Sequence, residues 1–118
     1  MIEIDLKNYL GECLPYPVLL EKPEDPPAEY VLLEKTGDSR ENHIWTATMA
    51  IQTYADSLFR AAVMAEEAAG AVEDAIALNS VTHVEINSIY NDSDRLTKEY
   101  RYQVVAVIVY YKGEIGDG

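Results

Sequence analysis

Cysteine, histidine and basic residues are scarce in this 118-residue chain, which has one Cys, two His, and nine Lys and Arg against 21 Asp and Glu. With Cys13 alone, no internal disulfide can form. His43 and His83 have no second His, Cys or carboxylate at ligand spacing on a shared face, apart from a weak strand pairing of His83 with Glu85. There is no nucleophile elbow, no phosphate-cradling Gly loop and no Ser/His/Asp arrangement. No catalytic residue, metal or cofactor is therefore expected, and the chain does not read as an enzyme. A formal charge of −12 argues against binding nucleic acid by neutralising its phosphates. No stretch approaches the roughly 20 apolar residues that span a bilayer, and no basic region followed by an apolar run opens the chain, so a soluble protein without a membrane partner is expected.

What is present is periodicity. The length suits one domain, expected over residues 1–112, with an acidic Gly-containing tail at 113–118 expected to be disordered. From Asp56 to Leu78, the residues Leu58, Ala62, Ala65, Ala69, Val72 and Ile76 recur at helical spacing, which predicts one long amphipathic helix capped by Asp56. Its alanines allow close approach to a flat partner such as a sheet. Gly70 inside it reads as either a close-packing point or a weak spot. Ile2, Leu6, Tyr9, Leu10 and Leu14 predict a short N-terminal helix ending near Gly11, before Pro15 and Pro17. Val18–Leu20 suits an edge strand, and Lys22–Ala28 a rigid proline-rich link.

Alternation predicts two hairpins. The first takes Tyr30–Leu33, a turn at Thr36–Ser39, and a return strand over Asn42–Tyr54 with Trp45, Ala47, Met49 and Ile51 on one face. The second begins at Val81, Val84, Ile86 and Ile89, turns at Asn91–Asp94 and returns over Tyr100–Tyr111. Val104–Val109 is apolar on both faces, which marks a central strand covered on both sides. The expected class is α+β: a mostly antiparallel sheet of four to five strands, with the long helix packed on it and the short one beside it.

The candidate functional residues are polar loop residues and tyrosines. Asp38, Arg40 and Glu41 in the first hairpin, and Asp92, Asp94 and Arg95 in the second, read as solvated tips that serve protein contacts. Tyr90, Tyr100 and Tyr102 belong to a tyrosine-rich second hairpin, and tyrosine is favoured where one end of a side chain is buried and the other wet.

The runs Tyr30-Val31-Leu32-Leu33-Glu34-Lys35-Thr36-Gly37, Glu41-Asn42-His43-Ile44 and Ala50-Ile51-Gln52-Thr53-Tyr54-Ala55-Asp56-Ser57 resemble small tail proteins of long-tailed phages and prophages of Gram-positive bacteria. Ile86-Asn87-Ser88-Ile89-Tyr90-Asn91 and Lys98-Glu99-Tyr100-Arg101-Tyr102-Gln103 fit the same pattern. The likeness covers nearly the whole chain and is closest to the tail terminator, or tail-completion, family. It implies a structural virion protein that forms a ring, typically a hexamer, capping the tail tube and joining it to the head. The implied partners are further copies of itself, the major tail tube protein and a head-completion protein. The implied location is the head-proximal end of the virion tail, after assembly in the bacterial host cytoplasm. The alternative is a small regulatory or ligand-binding module of ferredoxin-like type, marked by a defined pocket.

Overall fold

Two hairpins lie side by side in one sheet, and the segment joining them crosses its face as the main helix. The computed structural model describes residues 1–111, so the tail expected at 113–118 lies outside the described residues. The elements are α1 (Ile2–Cys13), β1 (Val18–Leu19), β2 (Tyr30–Glu41), β3 (Ile44–Ala55), α2 (Leu58–Glu73) running into a 3-10 turn (Asp74–Ala77), β4 (Val81–Asn91) and β5 (Tyr100–Tyr111). The five strands lie in the order β1-β2-β3-β5-β4. β1 runs parallel to β2, and every other pairing is antiparallel. The protein is thus an α+β domain of the expected kind.

Both helices cover the same side of the sheet. Ile2, Leu6 and Leu10 of α1 point into the core at four-residue steps, together with Val31, Leu33, Ala47, Met49 and Ile51 from β2 and β3 and Val104, Ala106 and Ile108 from β5. Fully burying a Leu or Ile is worth roughly 1.5–3 kcal/mol relative to leaving it exposed. Thr53, on the same face, is fully buried, and its hydroxyl donates to the Ala61 carbonyl at 2.9 Å, so burial leaves no polar group unmet there.

The main helix buries Ala65, Ala69 and Val72 of the stripe its spacing suggests, but it is rotated so that the ends of that stripe face out. Ala61, Met64, Ala65, Ala68, Ala69, Val72 and Ala75 are buried, whereas Leu58 and Ile76 are exposed. Alanines flank the expected stripe on both sides, so the pattern has little gradient, and the buried Met64 sets the rotation. The helix is capped by Ser57 rather than Asp56, with the Ser57 Oγ accepting from the Arg60 amide at 3.2 Å. Helix α1 passes through Gly11 to Cys13 and stops where Leu14, preceding Pro15, takes extended backbone.

The first hairpin turns at Asn42 and His43, not at Thr36–Ser39. Both residues have positive φ, 52° and 67°, as a two-residue hairpin turn of the primed type requires. The Thr36-Gly37 step is taken up instead as a bulge, where the register passes from Lys35↔Met49 to Gly37↔Thr48. Polar turn-forming residues are tolerated there because β1 pairs only with Val31 and Leu32, leaving the rest of β2 at the sheet edge. β5 is central, as its composition suggests, but only one of its faces is covered. Val104, Ala106, Ile108 and Tyr110 are buried, whereas Val105, Val107 and Val109 are half-buried on a helix-free face.

Ala65→Glu is expected to cost on the order of 3–5 kcal/mol by forcing an unpaired charge against β3 and β5, while Glu66→Ala on the exposed face stays within about 0.5 kcal/mol. Equal urea midpoints for the two variants would show that α2 faces the other way. At Gly70 an added Cβ would meet nothing within 4 Å, so the residue is an exposed weak spot and not a packing point. Gly70→Ala should therefore raise stability by about 1 kcal/mol, read from the same denaturation curves.

Candidate functional site

Register decides which candidate residues meet. Ile44 pairs with Tyr111, and Ala55 with Tyr100, so the β2–β3 turn and the β4–β5 loop lie at opposite ends of the sheet. The molecule is 45 Å long and 23 Å across in both other directions. Twelve-residue strands at roughly 3.3–3.4 Å per residue account for most of that length. The two sets of candidate residues therefore form two separate poles.

At the turn pole, Asp38 and Arg40 are strand residues on the helix side of the sheet. They belong to a charged cluster rather than to a loop tip. Asp38 accepts from Lys35 Nζ and Arg40 Nη2, each at 3.2 Å, and Lys35 also lies 3.7 Å from Glu3 of α1. Burial opposes the ionised form of Asp38, but the two cationic donors outweigh it and hold its carboxyl below the usual carboxylate range. The Arg40 guanidinium stacks 3.7 Å from the Trp45 ring centre, and Trp45 meets the edge of Tyr110 at 5.9 Å. Burial, then the negative charges of Asp38 and Glu3, push the Tyr110 phenol up to about 12. Glu41 stands beside the turn, opposite Ile44.

The loop pole is more elaborate. A backbone bridge between Asp94 and Glu99 closes the four-residue loop Arg95–Lys98. Asp94 Oδ1 accepts from the Leu96 amide at 3.0 Å and the Thr97 amide at 3.3 Å. Lys98 at the end of the loop has φ 58°, a left-handed conformation uncommon for a lysine. Asp92 accepts from Arg101 Nε at 3.2 Å, so it too is tied down. Asp92 and Asp94 thus shape the loop, and of the expected contact residues here only Arg95 is an exposed charge. Lys22 of the proline-rich link reaches Glu99 at 2.5 Å and fastens that link to the loop.

The tyrosines divide between the two faces. Tyr90 is exposed on the helix-free face, where its hydroxyl accepts from Gln103 Nε2. Gln52 Nε2 donates to Gln103 Oε1 at 2.9 Å, and Tyr54 donates to Gln52 Oε1 at 3.2 Å, so one polar row crosses β3, β5 and β4. Tyr102 packs against the core on the helix side. Tyr100 lines an open groove of ≈ 350 Å³ together with Pro26, Pro27, Tyr30, Tyr54 and Lys98. Tyr30 and Tyr54 stack with ring centres 4.5 Å apart. Tyr30 is only 3% exposed, and its hydroxyl has no hydrogen-bond partner among the described residues. Placing the first turn at Thr36–Ser39 hides the Tyr30–Tyr54 pairing; a turn at Asn42-His43 with one bulge would reveal it.

His43 is exposed in the first turn, and His83 is exposed on the edge strand with Nε2 4.0 Å from Glu85. Among the described residues, no group of three or more His, Cys, Asp and Glu is placed to hold a metal ion. No family model matches the chain, and no curated protein matches it.

The Asp94 carboxyl is held below the usual carboxylate range by the Thr97 amide first and the Leu96 amide second. Its loop-ordering bonds are present above that range and lost as pH falls through the lowered value. The Leu96 and Thr97 amide resonances should therefore titrate together in acid with a midpoint below that of an ordinary Asp. A midpoint at or above the ordinary value would show that the carboxylate does not hold the loop.

Proposed function

We propose that this chain is a tail terminator subunit, forming a ring that caps a phage tail tube and joins it to the head. The observation that carries this reading is the placement of two differently built poles at opposite ends of a 45 Å sheet. A joining protein must contact one partner at each end, and loops or strand ends on a rigid scaffold are suited to such contacts. The resemblance of the Tyr30–Gly37, Ala50–Ser57 and Lys98–Gln103 runs to small phage tail proteins supports the same function. The helix-free face, with Val105, Val107 and Val109 half-buried, supplies flat apolar surface for a neighbouring subunit.

In this reading the major tail tube protein and the head-completion protein are the partners at the two poles, and six copies are the proposed ring. A charge of −12 per subunit would let DNA pass through the lumen without phosphate contacts that have to be broken at each step. The place of action is the head-proximal end of the virion tail. No helix among the described residues is long and apolar enough to cross a membrane.

A small-ligand-binding module is the second reading, favoured by the ≈ 350 Å³ groove and the unpartnered Tyr30 hydroxyl. A ferredoxin-like arrangement has two βαβ units, whereas here a single helix crosses between strands, from β3 to β4.

The test is co-sedimentation and electron microscopy of the purified protein with tubes assembled from a major tail protein, alongside native mass spectrometry of the protein alone. Rings at tube ends are the expected result. A protein that remains monomeric at high concentration and also ignores tail tubes and head-completion partners would sink this reading and leave the ligand-binding module.

A further inference from the structure

Among the described residues, Lys7, Arg95 and Lys98 form no ion pair, and the last two flank the most exposed large apolar side chain. Lys22, Lys35, Arg40, Arg60 and Arg101 each form an ion pair with a carboxylate. Arg95 and Lys98 form none among the described residues, and between them Leu96 stands 96% exposed. This is not a slack loop. The Asp94–Glu99 bridge closes it, Asp94 Oδ1 holds two of its amides, and the Lys22–Glu99 pair ties its base to the proline-rich link. An apolar knob with a cation on each side is therefore held out in a fixed shape, which lowers the ordering entropy that docking would cost.

The complementary surface is on the same molecule, at the middle of the helix-free face. Ala50 pairs with Val105, and Thr48 with Val107, forming a flat patch on β3 and β5. Glu34, opposite Ala50 on β2, bounds one side, and Glu85, opposite Val107 on β4, bounds the other. Glu34 has no ion-pair partner among the described residues, and Glu85 has only exposed His83 at 4.0 Å. Gly37, opposite Thr48, leaves the patch without a side chain at one corner. An apolar centre between two carboxylates matches an apolar knob between two cations. The patch is acidic at its margins, so two copies placed face to face would repel.

We infer that the β4–β5 loop of one copy docks on the helix-free sheet face of the next, with Leu96 against Val105 and Val107 and with Arg95 and Lys98 against Glu34 and Glu85. The contact is heterologous, because each copy offers a knob and a face that differ. Such contacts repeat from copy to copy and either close into a ring or continue as a filament. Closure into a ring rests on the tail-terminator reading; the contact itself does not.

A charge-swap experiment separates this contact from general repulsion. Self-association of the full chain is measured by sedimentation equilibrium or native mass spectrometry for the wild type, Arg95→Glu/Lys98→Glu, Glu34→Lys/Glu85→Lys, and an equimolar mixture of the two double variants. Each double variant alone should associate at least about tenfold more weakly than the wild type, because like charges then meet across the contact. For Glu34→Lys/Glu85→Lys, general repulsion predicts the opposite sign, since that variant is less acidic. The mixture should recover association, with the two variants alternating, since every knob then faces a complementary patch. Leu96→Asp should weaken association similarly, and Lys7→Glu, which changes an unpaired cation on α1, should leave it within about twofold. Association unchanged in the double variants, or no recovery in the mixture, would overturn the docking contact. If rings nonetheless form on tail tubes with the double variants, the tail-terminator reading survives and only this contact falls. No self-association of the wild type, in solution or on tubes, would overturn both.

Discussion

The close approach of α2 to β3 and β5 is the contact on which the rest of the structure depends. Ala61, Ala65, Ala68, Ala69 and Ala75 face the sheet with side chains of one carbon, so the helix lies close to the strands, and Met64 and Val72 supply the larger apolar surface. Because α2 links the last strand of one hairpin to the first of the other, its seating sets how the hairpins meet. β5 then inserts beside β3, and β4 becomes an outer strand. A single helix above the centre and α1 above the β1–β2 side suffice to cover one face only.

That one-sided covering shapes everything considered functional. The covered face holds the large buried side chains, and its charged margin, with Lys35, Asp38 and Arg40, is satisfied internally. The uncovered face has no helix and keeps a valine row at half burial, bordered by a hydrogen-bonded row of Tyr54, Gln52, Gln103 and Tyr90. Polar rows of this kind tie strands together without an apolar partner, whereas the valines gain fully only when something flat covers them. Antiparallel pairing of β3 with β5 also fixes the two connecting loops at opposite ends, which gives a 13.2 kDa chain two differently built poles.

Periodicity and composition by themselves determined the class of fold, the order of the elements, the central place of β5 and the short edge strand before the proline-rich link. These follow from residues whose local preference agrees with their tertiary setting: the prolines at 15 and 17, the alternation around Met49 and Ile51, and the apolar run at Val104–Val109. Only the tertiary structure decided the rotation of α2, because a helix rich in alanine on several sides has almost no hydrophobic gradient to read. It also decided the first turn. Thr36-Gly37-Asp38-Ser39 has the stronger turn chemistry, yet a bulge at a sheet edge absorbs it, and the register imposed by twelve paired residues of β3 and β5 carries β2 on to Asn42-His43. The candidate residues divided for the same reason. Their polarity is visible in sequence, but whether an aspartate orders a loop, as Asp94 does through the Leu96 and Thr97 amides, or joins a charged cluster at the sheet margin, as Asp38 does with Lys35 and Arg40, depends on where the strand pairing places the turn.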